Sequence, residues 1–337
     1  MIPQGTGWQY LRGLSLDAIP RGTKVFHTRA VPLHAWRSQG AFTVLACTKS
    51  EITIETAGTE IGSVLLADAE HLLDHAAEHR ATVYDALKSG NWYSPAWVLV
   101  TTYYWSFFSA LALTRLTGHT VWFLDRAALR DMRTLAGAAV QPSAGALYLN
   151  VEPFVSATTR EISLKPSKSQ LHDALWRTTH GLIQNVSAQT NQNANGSEYR
   201  LWWSLARVAQ LWGPDWPSKV RNAVNYRPGS CYREIVRRNR VDTMQRVRLG
   251  TPFEFTDLME LIEDDVLKIG TATAPNDALQ FSSGLLGLFA IALSSLVEYL
   301  HADLILRQAG DQRWRELRRR FFTERCATAT GSVWPVS

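Results

Sequence analysis

The stretch Val100-Thr-Thr-Tyr103-Tyr104-Trp-Ser-Phe107-Phe108-Ser-Ala110-Leu-Ala-Leu113 decides how the rest of the chain is read. Tyr103 and Phe107, like Tyr104 and Phe108, stand four positions apart, so each pair lies on one face if the segment is helical. The ends agree with a helix. Ser94-Pro95 supplies an N-cap with proline at the first helical position, and Gly118 is a natural C-terminal stop. No charged residue occurs from Ser89 to Thr114, nor again from Ala278 to Val297. Runs of roughly 20 residues without charge are long enough to cross a bilayer. Here, however, they carry Asn91, Thr101, Thr102, Ser106 and Ser109 in the first, and Gln280, Ser282, Ser283, Ser294 and Ser295 in the second. The expectation is therefore helices buried all round in a protein core, with no membrane partner. The opening Met1-Ile-Pro-Gln-Gly-Thr-Gly lacks a basic region followed by an apolar run, and a cytoplasmic location is expected.

Working outward, Leu65, Leu66, Ala69, Leu72, Leu73, Ala76, Ala77 and Ala81 recur at helical spacing and predict a helix over 64–88, ended by Ser89-Gly90. Before it, Thr23–Val31, Ala41–Cys47 and Glu51–Glu55 are β-branched-rich runs separated by turn signals, and they predict a small antiparallel sheet. Beyond Gly118, two short strands near 146–166 read as a hairpin inserted between helices. Helices are expected at 169–188, 197–213, 217–240, 255–269, 276–308 and 310–325, with Thr190–Gly196 as a polar loop. The fold class is mainly α (α+β): an antiparallel helical bundle over 63–250 carrying the hairpin, preceded by a β-rich region over 1–62. A C-terminal helical extension over 251–330 packs on the bundle.

Composition sets the frame for function. A 46% hydrophobic and 19% charged chain of 337 residues is ordinary for a globular protein, and disorder is not the default. Thirteen tryptophans are many for this length, and favour a tight core or a permanent partner surface. The net charge of +5 is concentrated. Lys219–Arg248 holds nine basic residues against Glu234 and Asp242, and Arg313, Arg315, Arg318, Arg319 and Arg320 form a second cluster. Arginine dominates both, and its planar fork suits phosphate oxygens, although a solvated helix face has the same composition. Cys47, Cys231 and Cys326 are far apart and have no metal-ligand spacing.

Phosphate-loop, zinc-protease and nucleophile-elbow motifs are absent, and no metal or cofactor is implied. Glu263-Asp264-Asp265 with Lys268 sits on an amphipathic pattern and reads as an acidic solvent face. His172 and His180 share a predicted helix eight positions apart. At about 1.5 Å of rise per residue, that is too far for a shared metal.

Two segments together resemble the HEPN superfamily of helical bundles. The aromatic stretch is similar to the A-x-x-Y-Y-A-x-F-x-A-A-x-x-L-L helix of small bacterial members. Arg221-Asn222-Ala223-Val224-Asn225-Tyr226-Arg227-Pro228 resembles their late-helix R-x-x-A-D-Y. They occur in the right order, and the resemblance spans roughly 64–245. It implies a four- or five-helix antiparallel bundle, often dimeric, found in antiviral defence and toxin-type systems. Many relatives are metal-independent ribonucleases using an R-x(4–6)-H pair, in which arginine steadies the scissile phosphate and histidine assists proton transfer with the RNA 2′-hydroxyl. Such chemistry needs a fixed cation beside developing negative charge and a group that exchanges protons near neutrality. Here the histidine positions after Arg221 hold Tyr226, Arg227 and Pro228. A phenol titrates near pH 10 in model peptides and is a weak stand-in.

The expected role is therefore a HEPN-like subunit of a bacterial antiviral or toxin-type complex, binding RNA, DNA or partner proteins. Its contact residues would be Asn222, Asn225, Arg227, Arg233, Arg237, Arg238, Arg240, Arg318, Arg319 and Arg320. Two alternatives stand beside it. One is a ribonuclease using Arg221 with Tyr226 or Asn225; the other is a structural scaffold subunit in which Arg221, Asn222, Asn225 and Tyr226 lock helices by hydrogen bonds. The resemblance predicts one thing that coordinates can check: the aromatic helix and the Arg221 helix must share a packing unit.

Overall fold

The computed structural model describes residues 5–21, 23, 32–88, 95–190, 196–226, 262–264, 266–267 and 284–305. In chain order come α1 (Thr6–Ala18), α2 (Leu33–Gln39), β1 (Thr43–Cys47), β2 (Ile52–Ala57), α3 (Gly58–Lys88), α4 (Pro95–Leu116), β3 (His119–Leu124) and α5 (Arg126–Leu135). They are followed by β4 (Gly145–Phe154), β5 (Thr159–Pro166), α6 (Leu171–Gln189), α7 (Gly196–Trp212) and α8 (Trp216–Tyr226). A further helix, α9, covers Gly284–Ile305. The chain is mainly helical with one small antiparallel sheet.

That sheet has five strands in the order β1-β2-β5-β4-β3, every neighbouring pair antiparallel. The 146–166 hairpin is thus not a lobe hung between helices. It forms the middle of the sheet, with Ile54 of β2 opposite Ile162 of β5, and Trp122 of β3 opposite Leu147 of β4. The 1–62 region differs from expectation as well. Its runs at 41–47 and 51–55 are strands, but 6–18 and 33–39 are helices, α1 burying Trp8, Leu11, Ser15 and Ala18 at helical spacing. The run 23–31 lies outside the described residues apart from Thr23, as do the predicted helix at 310–325 and the part of 217–240 beyond Tyr226.

Two apolar cores meet along α3. At its N-terminal end Ile61, Val64 and Leu65 join Trp36 of α2, Leu129 and Met132 of α5 and Ile54, Trp122, Leu147 and Leu164 of the sheet. Further along, Leu66, Ala69, Leu73 and Ala76 enter the bundle core with Tyr103, Trp105, Trp176, Trp216, Phe289 and Val297. A helix of 31 residues is about 46 Å long, enough to reach both. Where α4 hands over to β3, Gly118 has φ of +71°, and a Cβ there would stand 2.8 Å from the Cβ of Ala18. Left-handed backbone and close approach both require glycine at this junction.

Ala96–Leu116 and Gly284–Ile305 are each long and apolar enough to cross a membrane, yet 67% and 78% of their most apolar windows are buried within the protein itself. The polar residues that α9 carries are also used internally. Glu298 accepts from Nη1 of Arg80 at 2.6 Å, Asp303 accepts from Nε of Arg12 at 2.8 Å, and His301 meets Glu70 at 3.3 Å. These contacts tie α9 to α1 and α3.

Candidate functional site

The aromatic helix and the Arg221 helix do share a packing unit. Val224 of α8 packs with Val98, Leu99 and Val100 of α4, and Cζ of Arg221 lies 4.9 Å from the centre of the Tyr103 ring. This is the distance of a cation–π contact. Arg221 also donates from Nε and Nη2 to Oδ1 of Asn222, at 3.2 and 2.7 Å. Its guanidinium is thereby held in orientation while remaining partly open to solvent.

Tyr103 is the hub. Its ring is fully buried, and its hydroxyl gathers three side chains from two other helices. Nδ1 of His172 on α6 is 2.6 Å away, Oγ of Ser218 on α8 is 3.2 Å away, and Nε1 of Trp176 on α6 donates to it at 3.4 Å. Burial pushes the Tyr103 hydroxyl above its ordinary range, so it stays protonated and able to donate. Burial first, and the Arg221 charge second, pull His172 below the ordinary histidine value. A neutral imidazole beside an immobile cation and a phenol follows.

Around this hub a band of rings crosses three helices. His172 stacks on Phe107 with centroids 4.4 Å apart, His79 of α3 stacks on Phe108 and Tyr104, and His75 stacks on Phe108 at 5.0 Å. His75, His79, Tyr104, Phe108 and His172 are all half-buried, so ring faces and edges reach solvent along one side of the bundle. Among the described residues no group of three histidine, cysteine or acidic side chains is placed to hold a metal ion.

Of the residues singled out by sequence, Arg221 joins the site directly, while Asn222 and Asn225 are exposed on the outer face of α8. Asn222 serves Arg221, and the polar contacts that join α8 to α4 are the Arg221 guanidinium over the Tyr103 ring and Oγ of Ser218 at the Tyr103 hydroxyl. Tyr226 is the last residue of α8. Arg227, Arg233, Arg237, Arg238, Arg240, Arg318, Arg319 and Arg320 lie outside the described residues. Of the acidic run, Glu263 accepts from Nε of Arg200 at 2.7 Å in an ion pair near the surface. Asp265 and Lys268 lie outside the described residues.

Sequence reasoning missed His172 and Ser218. His172 was visible only as one of two histidines on a helix. What places it here is the packing of α6 against α4, which spacing within a single segment does not encode. His180, its companion, is elsewhere: fully buried, stacked on Phe289 at 14° between planes, with neither ring nitrogen partnered among the described residues.

The architecture is thus a mainly helical bundle with one embedded antiparallel sheet, and its site is an arginine, histidine, tyrosine and serine brought together from three helices. No family profile, no curated protein and no solved structure matches the chain.

Proposed function

We propose that the protein is a HEPN-like bundle that binds RNA along the ring band beside Arg221, acting in the cytoplasm as a subunit of a bacterial antiviral or toxin-type complex. The observation that carries this reading is the Arg221 guanidinium seated on Tyr103 with His172 on the same phenol. It joins in space the two segments on which the resemblance rests. Half-buried rings offer stacking faces to unpaired bases whatever their sequence, and a partly open guanidinium supplies a phosphate contact. The defence setting rests on the resemblance alone. The test is fluorescence anisotropy with a labelled single-stranded RNA across a salt series. Affinity should fall steeply with salt, and Tyr104→Ala and Arg221→Ala should each weaken it. A flat salt response removes the reading.

A second reading is favoured by one observation, the meeting of His172 and Arg221 on Tyr103, one at its hydroxyl and the other over its ring. The R-x(4–6)-H pair missing from α8 has a spatial counterpart, its histidine supplied by α6. Metal-independent RNA cleavage would then use Arg221 to steady the phosphate and His172 to exchange the proton. RNA should be cut in EDTA, and His172→Ala should abolish cutting while the folded variant still binds RNA in the anisotropy assay. Intact RNA under those conditions leaves binding as the activity.

A further inference from the structure

The outward side of α3 repeats an acid–histidine dipeptide every four residues: Glu70-His71, Asp74-His75 and Glu78-His79. Leu66, Ala69, Leu73 and Ala76 take the buried side, and the three histidines run as one stripe along the helix. Members of the stripe are used differently. His79 stacks on Phe108 and Tyr104, and Glu70 meets His301. His71 and His75 turn toward each other instead, with their Nε2 atoms 3.3 Å apart. His71 is exposed and His75 half-buried, so the pair lies at the surface.

Three features of the pair point to a metal ion. The first is its span. A separation of 3.3 Å is longer than the roughly 2.7–3.2 Å usual for a bond donated by N–H. It matches the separation, about 3.3–3.4 Å, of two imidazole nitrogens each about 2.0–2.1 Å from one tetrahedral ion. The second feature is the other nitrogen of His75. Nδ1 faces Oε2 of Glu78 at 3.8 Å. A metal-bound histidine turns its second N–H to a carboxylate in the same way, which leaves the Nε2 lone pair for the ion. The third is rigidity. Both histidines stand on consecutive turns of a 31-residue helix, and the His75 ring is stacked on Phe108 with centroids 5.0 Å apart. Little ordering is left for the ion to impose.

We propose that His71 and His75 bind one Zn²⁺ ion through their Nε2 atoms, with water in its remaining positions. Imidazole suits such an ion, whereas Mg²⁺ prefers oxygen donors. Two histidines four apart on one helix face supply the same pair of nitrogens that helical zinc sites use. The local charge agrees. Asp74 and Glu78 flank the pair, and the first arginine or lysine of α3 is Arg80, which pairs with Glu298. Two protein ligands leave coordination positions open, so the site is of the exchangeable kind and not a closed structural one.

The experiment is calorimetric titration of the full, untagged chain with Zn²⁺ and, separately, with Mg²⁺. Zn²⁺ should bind with a Kd below about 100 µM, and Mg²⁺ should bind at least about a hundredfold more weakly. His71→Ala and His75→Ala should each lose at least about tenfold in Zn²⁺ affinity, while His119→Ala should not. Arg221→Ala should also keep its Zn²⁺ affinity, so this result does not depend on RNA binding by the bundle. In a histidine-detected NMR titration the ring resonances of His71 and His75 should shift together and saturate at one equivalent. His71 is exposed, so the metal-free melt of His71→Ala should match the wild type, whereas its rise in melting temperature with Zn²⁺ should be lost. Absence of heat with Zn²⁺ at about 1 mM reduces the pair to a hydrogen bond and overturns the proposal. Wild-type affinity in either histidine variant places the ion elsewhere and overturns it as well.

Discussion

At Tyr103 one buried phenol connects a histidine, a serine and a tryptophan, and an arginine covers its ring. The charge on Arg221 opposes protonation of His172 across this assembly. Arg221→Ala removes that opposition, so the His172 titration midpoint should move upward toward the ordinary histidine value, read from the ring-proton shift in a pH series. An unmoved midpoint would mean that the two groups do not sense each other. His180 poses a different case. Full burial lowers its pKa to about 3, so the ring stays neutral in the fold while the unfolded chain takes up a proton as pH drops below about 6.5. The unfolded state therefore binds more protons throughout that window. Stability is full above about 6.5 and declines by about 1.4 kcal/mol per pH unit below it, toward the folded pKa. His180→Leu should flatten the fall in melting temperature between pH 7 and pH 5. It should also spare the cost of two unpaired ring nitrogens, about 1–3 kcal/mol for such a group. Residue-scale features of this kind were half legible. Tyr103 and Arg221 stood out by their motifs, whereas the meeting of Tyr103 with His172 depends on which helix packs on which.

At the scale of elements, the junction of α4 with β3 shows how a helix end is fastened. Arg115 donates from Nε to Asp68 of α3 at 2.5 Å, from Nη1 to the Val121 carbonyl at 3.1 Å, and also to the Thr120 hydroxyl. Both ions are nearly buried, so removing one strands the other in a low-dielectric setting. Arg115→Met alone should cost about 3–5 kcal/mol in denaturant melts, while Arg115→Met with Asp68→Leu should recover most of that loss. A double variant no more stable than the single one would show that the pair contributes net stability. The helices themselves were readable, α3 because apolar residues at a 3.6-residue period identify a buried stripe and α4 because Ser94-Pro95 and Gly118 bracket an uncharged run. Hence 64–88 and 95–118 are close to α3 and α4. The strand β3 was not read, because His119-Thr-Val-Trp-Phe-Leu follows the helix after only two residues and its partners lie near position 147.

For the whole molecule, the feature that sequence reading missed most is the place of the hairpin. Two strands close together in sequence resemble an add-on, yet here they pair outward on both sides, β5 with the distant β2 and β4 with β3. Replacing 145–166 by a short glycine-serine linker should therefore abolish the cooperative melt, where removal of a true excursion would merely lower its midpoint. Retention of a sharp transition by calorimetry would contradict the central role given to it. The same geometry bears on synthesis. While the ribosome has delivered the chain only to about residue 130, β2 and β3 have no strand to bridge them, and each exposes unpaired backbone groups. The sheet closes only after residue 166 has emerged. A nascent chain stalled before that point should depend on chaperones and aggregate when they are withheld, and one stalled well beyond it should not.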